Sequence, residues 1–481
     1  MTRRVFCGLA AALALVAGGC VNLAPEHERP ALPTGPGYNP DFQPDGAVGA
    51  SQLGWNAFFV DPRLQALIAA ALENNRNLAA ATARIEQARA QYRIQDSRRL
   101  PSAVADASAI RSRSAQGDGQ PAAGSVTANR FDVGVGVTAF ELDFWGRIAN
   151  LSEAARADYL ATIAAQRAFH ITLIADVANT YYGLVEAQEQ IALAQATAQS
   201  REEGLRIARL RLENGVTSAL PYRQAETLLT QAEQQVAFQR LDAARLQNQL
   251  AVLVGGQIPH ELPQGVELAG QENGIVLAAG LPSDLLLQRP DIIAAEENLR
   301  AANANIGAAR AAFFPTISLT GSAGFASSSL DSLFDSDGLG WSFGPSISLP
   351  IFDWGAREAQ LDFARAVEVE EVANYDLAVQ NAFREVSDAL AGRRYLAEQV
   401  RTLERAAVAQ AEIARISRAR YREGVADYLE VLDAERNLFS AEQTLLTTRR
   451  AYLQNALTLY AALGGGLVGP AEPAAQTAPG D

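Results

Sequence analysis

Two hydrophobic rhythms alternate along the chain. Residues 64–98 carry apolar positions at helical spacing, and Pro101 ends the run, as a Pro just past a helix does. Strand-like segments follow. Val133, Val135 and Val137 alternate with Gly134, Gly136 and Thr138, so one face is apolar and the other small or polar. Residues 102–110 alternate less clearly and read as a strand through the later segment they match. Residues 147–214 contain no Pro and little Gly. They predict one helix of about 100 Å at 1.5 Å per residue. Within it, Ile174, Val177, Tyr181, Leu184 and Ile191 keep a three–four rhythm. Gly215 reads as a helix C-cap, where positive φ is needed, and a returning helix runs to about residue 254.

The same order is then written again. Leu100-Pro101-Ser102 matches Phe314-Pro315-Thr316, and Asp143-Phe144-Trp145-Gly146 matches Phe352-Asp353-Trp354-Gly355. Glu213-Asn214-Gly215-Val216 matches Arg422-Glu423-Gly424-Val425, and Leu253-Val254-Gly255-Gly256 matches Ala462-Leu463-Gly464-Gly465. The last three matches share one offset, 209 residues. A constant offset over so long a span indicates a tandem duplication. The second copy predicts a helix over 291–312, strands around Ile317/Leu319 and Trp341–Ile351, and a long helix over 357–423. In its last helix Leu432, Phe439, Leu446, Leu453 and Tyr460 recur every seven residues, the pattern of helices packed side by side.

Four strands with one apolar and one small polar face suit a membrane barrel. Phe131, Phe144, Trp145, Phe325, Trp341, Phe352 and Trp354 lie near their ends like interface girdles. Open edges in a bilayer leave backbone groups unsatisfied, and four strands cannot close a barrel. The chain must therefore share a barrel with copies of itself. Cyclic symmetry makes a homotrimer of twelve strands with a polar lumen. The expected fold class is an α+β membrane protein whose trimeric β-barrel is continued by a long α-helical coiled-coil barrel. The bland alternative is a soluble coiled-coil protein with a small sheet.

The amino terminus reads as an address. Arg3-Arg4 precede the apolar stretch 5–16, then Ala17-Gly18-Gly19-Cys20. This is the layout of a secretory signal with a lipoprotein cut before Cys20, whose lipid would anchor the chain. Ala17 is a relaxed choice three residues before the Cys, and Val21 in place of Asp favours the outer membrane. The expected organisation is a signal peptide over 1–19, a lipidated Pro-rich strap over 20–60, a first repeat over 61–256, a connector over 257–284, a second repeat over 285–465 and a tail over 466–481.

Composition narrows the chemistry. Among 481 residues, 54 acidic and 40 basic ones give a net charge of −14, and no Lys/Arg cluster offers a nucleic-acid surface. The three histidines, His27, His170 and His260, are far apart, and the cysteines are Cys7 and Cys20. Zinc sites need such ligands in close pairs. Met1 is the sole methionine, which argues against a thioether path for copper or silver. No nucleophile elbow or phosphate loop occurs, so neither an enzyme nor a cofactor is expected.

The chain resembles the TolC family of outer-membrane efflux proteins, in the branch of lipoproteins paired with RND pumps. The resemblance is carried by Leu23-Ala24-Pro25 with Arg29-Pro30, by Gly280-Leu281-Pro282-Ser283-Asp284-Leu285-Leu286 with Arg289-Pro290-Asp291-Ile292, by Phe313-Phe314-Pro315, and by Leu349-Pro350-Ile351-Phe352-Asp353. It implies a passive exit duct at the outer membrane with its helical barrel in the periplasm. The implied partners are a periplasmic adaptor, an inner-membrane RND pump and outer-membrane lipid. A related conduit for type I protein secretion is the alternative.

The turn after Gly424 holds the candidate gate. Glu430 and Asp433 lie three apart and share a helix face. In a trimer they would form acidic rings, which favour cations; as isolated helix-start acids they would simply suit the helix dipole. The resemblance implies that Leu429, Glu430 and Asp433 line the closed entrance. It also implies adaptor contact at both turns, through Arg211, Gly215, Val216, Ser218, Tyr421, Arg422, Gly424 and Val425. Some relatives hold the entrance shut by linking the Tyr matching Tyr421 to an Asp of the first hairpin. Pro221 stands at that Asp position here, so either Arg422, Arg211 or Tyr222 takes the role or the closed state is weaker.

Overall fold

The computed structural model describes residues 21–35, 37–42, 48–114, 126–259, 261–272, 274–279 and 289–468. Cys20, the signal segment, residues 280–288 of the family-like segment, His260 and most of the expected tail lie outside the described residues. The main elements are α1 (Pro62–Asn74), α2 (Arg76–Ser97), β1 (Ala103–Ser114), β2 (Val126–Glu141), α3 (Arg147–Glu213), α4 (Ala219–Val254), α5 (Pro290–Ala311), β3 (Thr316–Ser327), β4 (Leu339–Ser348), α6 (Ala356–Arg422) and α7 (Tyr428–Ala462). The expected order of elements recurs in both halves, and α3 and α6 are each 67 residues long.

One expectation needs correction. The helix over 64–98 is two helices, broken at Asn75, whose backbone is extended. Asn75 accepts from Leu78 N at 2.9 Å, so it caps α2, and it donates to Leu253 O at 2.7 Å. Gly255, at φ +87°, lies directly against Asn74, and a Cβ there would collide with its carbonyl.

The chain forms two compact units. The first comprises the described residues of Met1–Pro30, Ile85–Thr162 and Ala294–Tyr375. Its sheet is antiparallel in the order β1-β2-β3-β4. Gly134 faces Gly324, and a Cβ on Gly324 would come within 2.6 Å of the Gly134 Cα, so this crossing needs glycine. Between the Val137–Gly321 and Phe140–Leu319 pairs β2 carries one residue more than β3. This bulge is taken up by Ala139 at φ +49°, whose N–H donates to Thr320 Oγ1 at 3.2 Å. Hydroxyl pairs Ser318–Ser346 (2.7 Å) and Ser322–Ser342 (2.8 Å) line the polar face. Every residue of β4 is exposed.

In the same unit, Ala154 and Ala157 of α3 pack on Ala301 and Ala304 of α5, where small side chains permit close approach. Residues 21–29 lie along α5. Val21 N–H donates to Phe144 O, Arg310 donates to Leu23 O at 3.0 Å, and Arg29 pairs with Glu296 at 2.8 Å. Gly307 makes room for this strap, since a Cβ there would meet Ala24 at 2.8 Å. Burial pushes the Glu296 carboxyl up, but hydrogen bonds and charge from Arg29 and Arg300 outweigh it and hold it below its usual range.

The second unit comprises the described residues of Ala31–Arg84, Ile163–Ile293 and Asp376–Asp481. Of the expected seam positions, Ile174, Val177, Tyr181, Leu184, Leu453 and Tyr460 are buried in its core, whereas Ile191, Leu432, Phe439 and Leu446 are only half-buried. Buried Asp61 caps α1 by accepting from Arg63 N at 2.8 Å. It also accepts from Tyr181 OH at 2.7 Å, Val266 N at 3.0 Å and Gln271 Nε2 at 3.2 Å, which ties the connector to α3. Arg289 bonds Asp291 at 2.6 Å, Glu385 at 2.8 Å and Ala462 O at 3.1 Å.

Candidate functional site at the helical turns

Each long helix ends in the same way. Val216 N–H donates to Arg211 O and Val425 N–H to Arg420 O, both at 2.9 Å. Gly215 (φ +68°) and Gly424 (φ +78°) supply the left-handed residue, so both ends are Schellman-type caps. The returning helices are capped by Ser218, accepting from Leu220 N, and by Asp427, accepting from Leu429 N at 2.9 Å and Glu430 N at 3.3 Å. Val216 and Val425 stay about seven-tenths exposed at the turns themselves.

Below the caps, Ala208, Ala225, Tyr421, Tyr428 and Val431 form a buried cluster flanked by Leu205, Tyr222 and Leu432. Tyr421 meets Tyr428 edge to face at 5.3 Å. Arg211 lies over the Tyr421 ring at 4.3 Å and donates to Tyr421 O at 3.0 Å. Of the three residues left open for the link between hairpins, the structure brings Arg211 to Tyr421. Tyr222 is instead held by Arg209, through a 3.3 Å hydrogen bond, and lies beneath the Arg223 guanidinium. Arg422 is exposed.

The three candidate gate residues differ in surroundings. Leu429 is 52% exposed. Glu430 accepts from Ser417 Oγ at 3.3 Å and lies 3.5 Å from Arg420 Nε, so α6 partly offsets its charge. Asp433 is exposed.

Sequence reasoning missed a neighbouring charged group. Arg201 is only 3% exposed, between the fully buried Ala194 and Ala208. It donates to Leu228 O at 2.8 Å, stacks over Phe439 at 5.2 Å, and approaches Glu435 at 4.0 Å; Arg418 bonds Glu435 at 2.9 Å. Burial pushes the Arg201 pKa down against the pull of Glu435. Burial, then Glu435, pushes the Tyr428 phenol up. The available signal was the spacing: 194, 201 and 208 are seven apart, so Arg201 falls on the packed seam.

Among the described residues no cluster of three or more His, Cys, Asp or Glu could hold a metal, and no helix is long and apolar enough to cross a membrane. The membrane element is the sheet. A strand unit with an apolar face, joined to paired long helices with capped turns, defines an outer-membrane channel subunit.

The outer membrane efflux protein family matches residues 67–256 and 281–465, and the chain belongs to that family. It is similar to the cation efflux system protein CusC of Escherichia coli K12, at 40% identity over 459 residues, covering 94% of this chain and 98% of that protein. It is also similar to the toluene efflux pump outer membrane protein TtgI of Pseudomonas putida, at 44% over 458 residues, covering 94% and 96%. Among solved structures, the open state of the Neisseria gonorrhoeae MtrE outer membrane channel has a TM-score of 0.85 at 39% identity, covering 93% of this chain and 98% of that one. A CusC structure has a TM-score of 0.83 at 40% identity, covering 92% and 100%. The fold class is that of the trimeric outer-membrane efflux channels, with four strands per chain, and the protein is an efflux channel of the outer membrane whose helical part lies in the periplasm.

Proposed function

We propose that the chain is the exit duct of a tripartite RND-type efflux system, conducting pump substrates passively across the periplasm and outer membrane. Three copies complete the barrel. A periplasmic adaptor grips both turns, and an inner-membrane RND pump supplies the energy. Cys20 carries lipid at the membrane surface, which suits the strap: Val21, its neighbour, is bonded to Phe144 where β2 leads into α3. The chain performs no reaction and carries no cofactor. Its two repeats, over 61–256 and 285–465, act as paired staves around one lumen.

The observation that carries this reading is the pairing of an edge-exposed four-stranded sheet with two identically capped turns. Leu429, Glu430 and Asp433 form the resting constriction, and the Arg211–Tyr421 contact takes the place of the Tyr–Asp link ruled out by Pro221. Gly215, Val216, Ser218, Arg422, Gly424 and Val425 offer the adaptor surface. The test is reconstitution. Purified chain in planar bilayers should give a trimeric, mostly closed, cation-preferring channel. It should co-purify with a periplasmic adaptor and an RND pump. Co-purification with an ABC exporter instead would favour the secretion conduit.

A further inference from the structure

The duplication places the same joint in the molecule twice, and only one of the two is completed inside the chain. Trp145, just beyond β2, stacks on Phe314 with ring centroids 4.6 Å apart, and its Nε1 donates to Pro315 O at 2.9 Å. Phe314 and Pro315 form the turn that leads into β3. The second strand of the first repeat is thus fastened to the entry of the strand it pairs with. The matching residues of the other copy are Trp354, just beyond β4, and Leu100-Pro101, the turn that leads into β1. Trp354 is 89% exposed and Leu100 72% exposed. The ring of Trp354 meets Phe352 edge to face. β4 and β1 are the two edges of the sheet and cannot reach each other within one flat order of four.

We propose that Trp354 of each protomer seats on the Leu100-Pro101 turn of the next copy, so that every seam between subunits repeats the β2–β3 seam seen inside the chain. The inference rests on the homotrimer reading and adds its contacts and register. The occupant must offer an unpaired strand edge and, beside it, an apolar residue followed by Pro. The β1 edge of a second copy offers both.

Register follows from the repeat. Phe140 faces Leu319, so Leu349 should face Ala105 of the next copy. Beyond the bulge, whose extra residue β2 carries and β4 lacks, Val137 faces Gly321, so Ile347 should face Ala107. Both pairs keep apolar side chains on one face, as register requires.

The experiment is oxidative cross-linking of the full-length protein in membranes. Ile347→Cys with Ala107→Cys should give covalent trimers on denaturing gels, whereas Ile347→Cys with Ala109→Cys should give several-fold fewer. Trp354→Ala should lower the temperature at which the trimer dissociates, and Trp354→Phe should restore part of the loss. A trimeric double-cysteine variant in which the 347/107 pair stays uncross-linked, or a shifted pair that links better, would overturn this seam while leaving the trimer intact. A wild-type protein that is monomeric by mass would overturn the homotrimer reading itself.

Discussion

The sheet and the helical turns show opposite degrees of self-sufficiency. All ten residues of β4 are exposed, and Trp341, Ile351 and Trp354 project large apolar surface. At the turns, by contrast, Tyr421, Tyr428 and Val431 are buried, and Glu430, Glu435 and Arg211 find partners within the chain. The difference is physical. A strand edge presents a row of unpaired N–H and C=O groups that another strand must meet. A capped helix end satisfies its own backbone, so two hairpins can hold each other with side chains alone. On the proposed reading, assembly would depend on the sheet, and gating on contacts at the turns that a single protomer already makes and a partner could break.

The sharpest test of that contrast is Gly324→Val. Its Cβ would collide with the β2 backbone, and β2–β3 is the pair on which each further seam is patterned. We expect trimer yield to fall by roughly tenfold or more, a loss of more than about 1.4 kcal/mol, measured by native mass spectrometry of detergent extracts. Wild-type yield would mean that the sheet is not what assembles the channel.

At the turns, changes should alter conduction without altering assembly. Leu429→Ala should raise single-channel conductance about twofold or more by removing an apolar plug. Asp433→Asn should lower cation preference and multivalent-cation block more than Glu430→Gln, since Arg420 already offsets Glu430. Unchanged recordings in all three would move the constriction to the paired turn around Leu220 and Gln224. Arg211→Ala should increase the open fraction several-fold, because it removes both the ring contact and the hydrogen bond to Tyr421. Arg211→Lys should recover only part of that, having no planar fork to stack.

Smaller effects are expected where one bond among several is lost. Tyr181→Phe removes one of the hydrogen bonds to buried Asp61 and should cost about 1 kcal/mol, read as a shift of a few degrees or less in thermal dissociation. The strap should respond to acid. Glu296 is held below its usual range, so its contribution is present above the unfolded carboxyl value of about 4.3 and is lost as pH falls through the lower folded value. Proteolysis near residues 21–29 should then rise at acid pH in wild type, and be high at every pH in Arg29→Ala.

Local signals made much of this chain legible. Pro101, Pro315, Gly215 and Gly424 punctuate the elements because each acts on its own backbone. Period-two patterning located the strands, and the 209-residue offset revealed the duplication. The break at Asn75 was hidden because its cause is remote in sequence: the side chain holds Leu253 O, and the Gly255 turn presses on Asn74. Arg201 looks like one basic residue in a long helix, yet its seven-residue spacing from Ala194 and Ala208 places it in the seam.

What the sequence determined alone is therefore whatever depends on near neighbours: helix lengths, caps, strand faces and the need for further copies. Tertiary structure decided the pairings. It chose Arg211 as the partner of Tyr421, gave Glu430 to Arg420 and left Asp433 exposed. It seated Trp145 on the Phe314-Pro315 turn while leaving its copy, Trp354, in the open. Two residues of the same type in the same motif part ways because one repeat has a strand beside it in the chain and the other has an edge. No rule of local spacing distinguishes them, since the difference is which strand comes next in space.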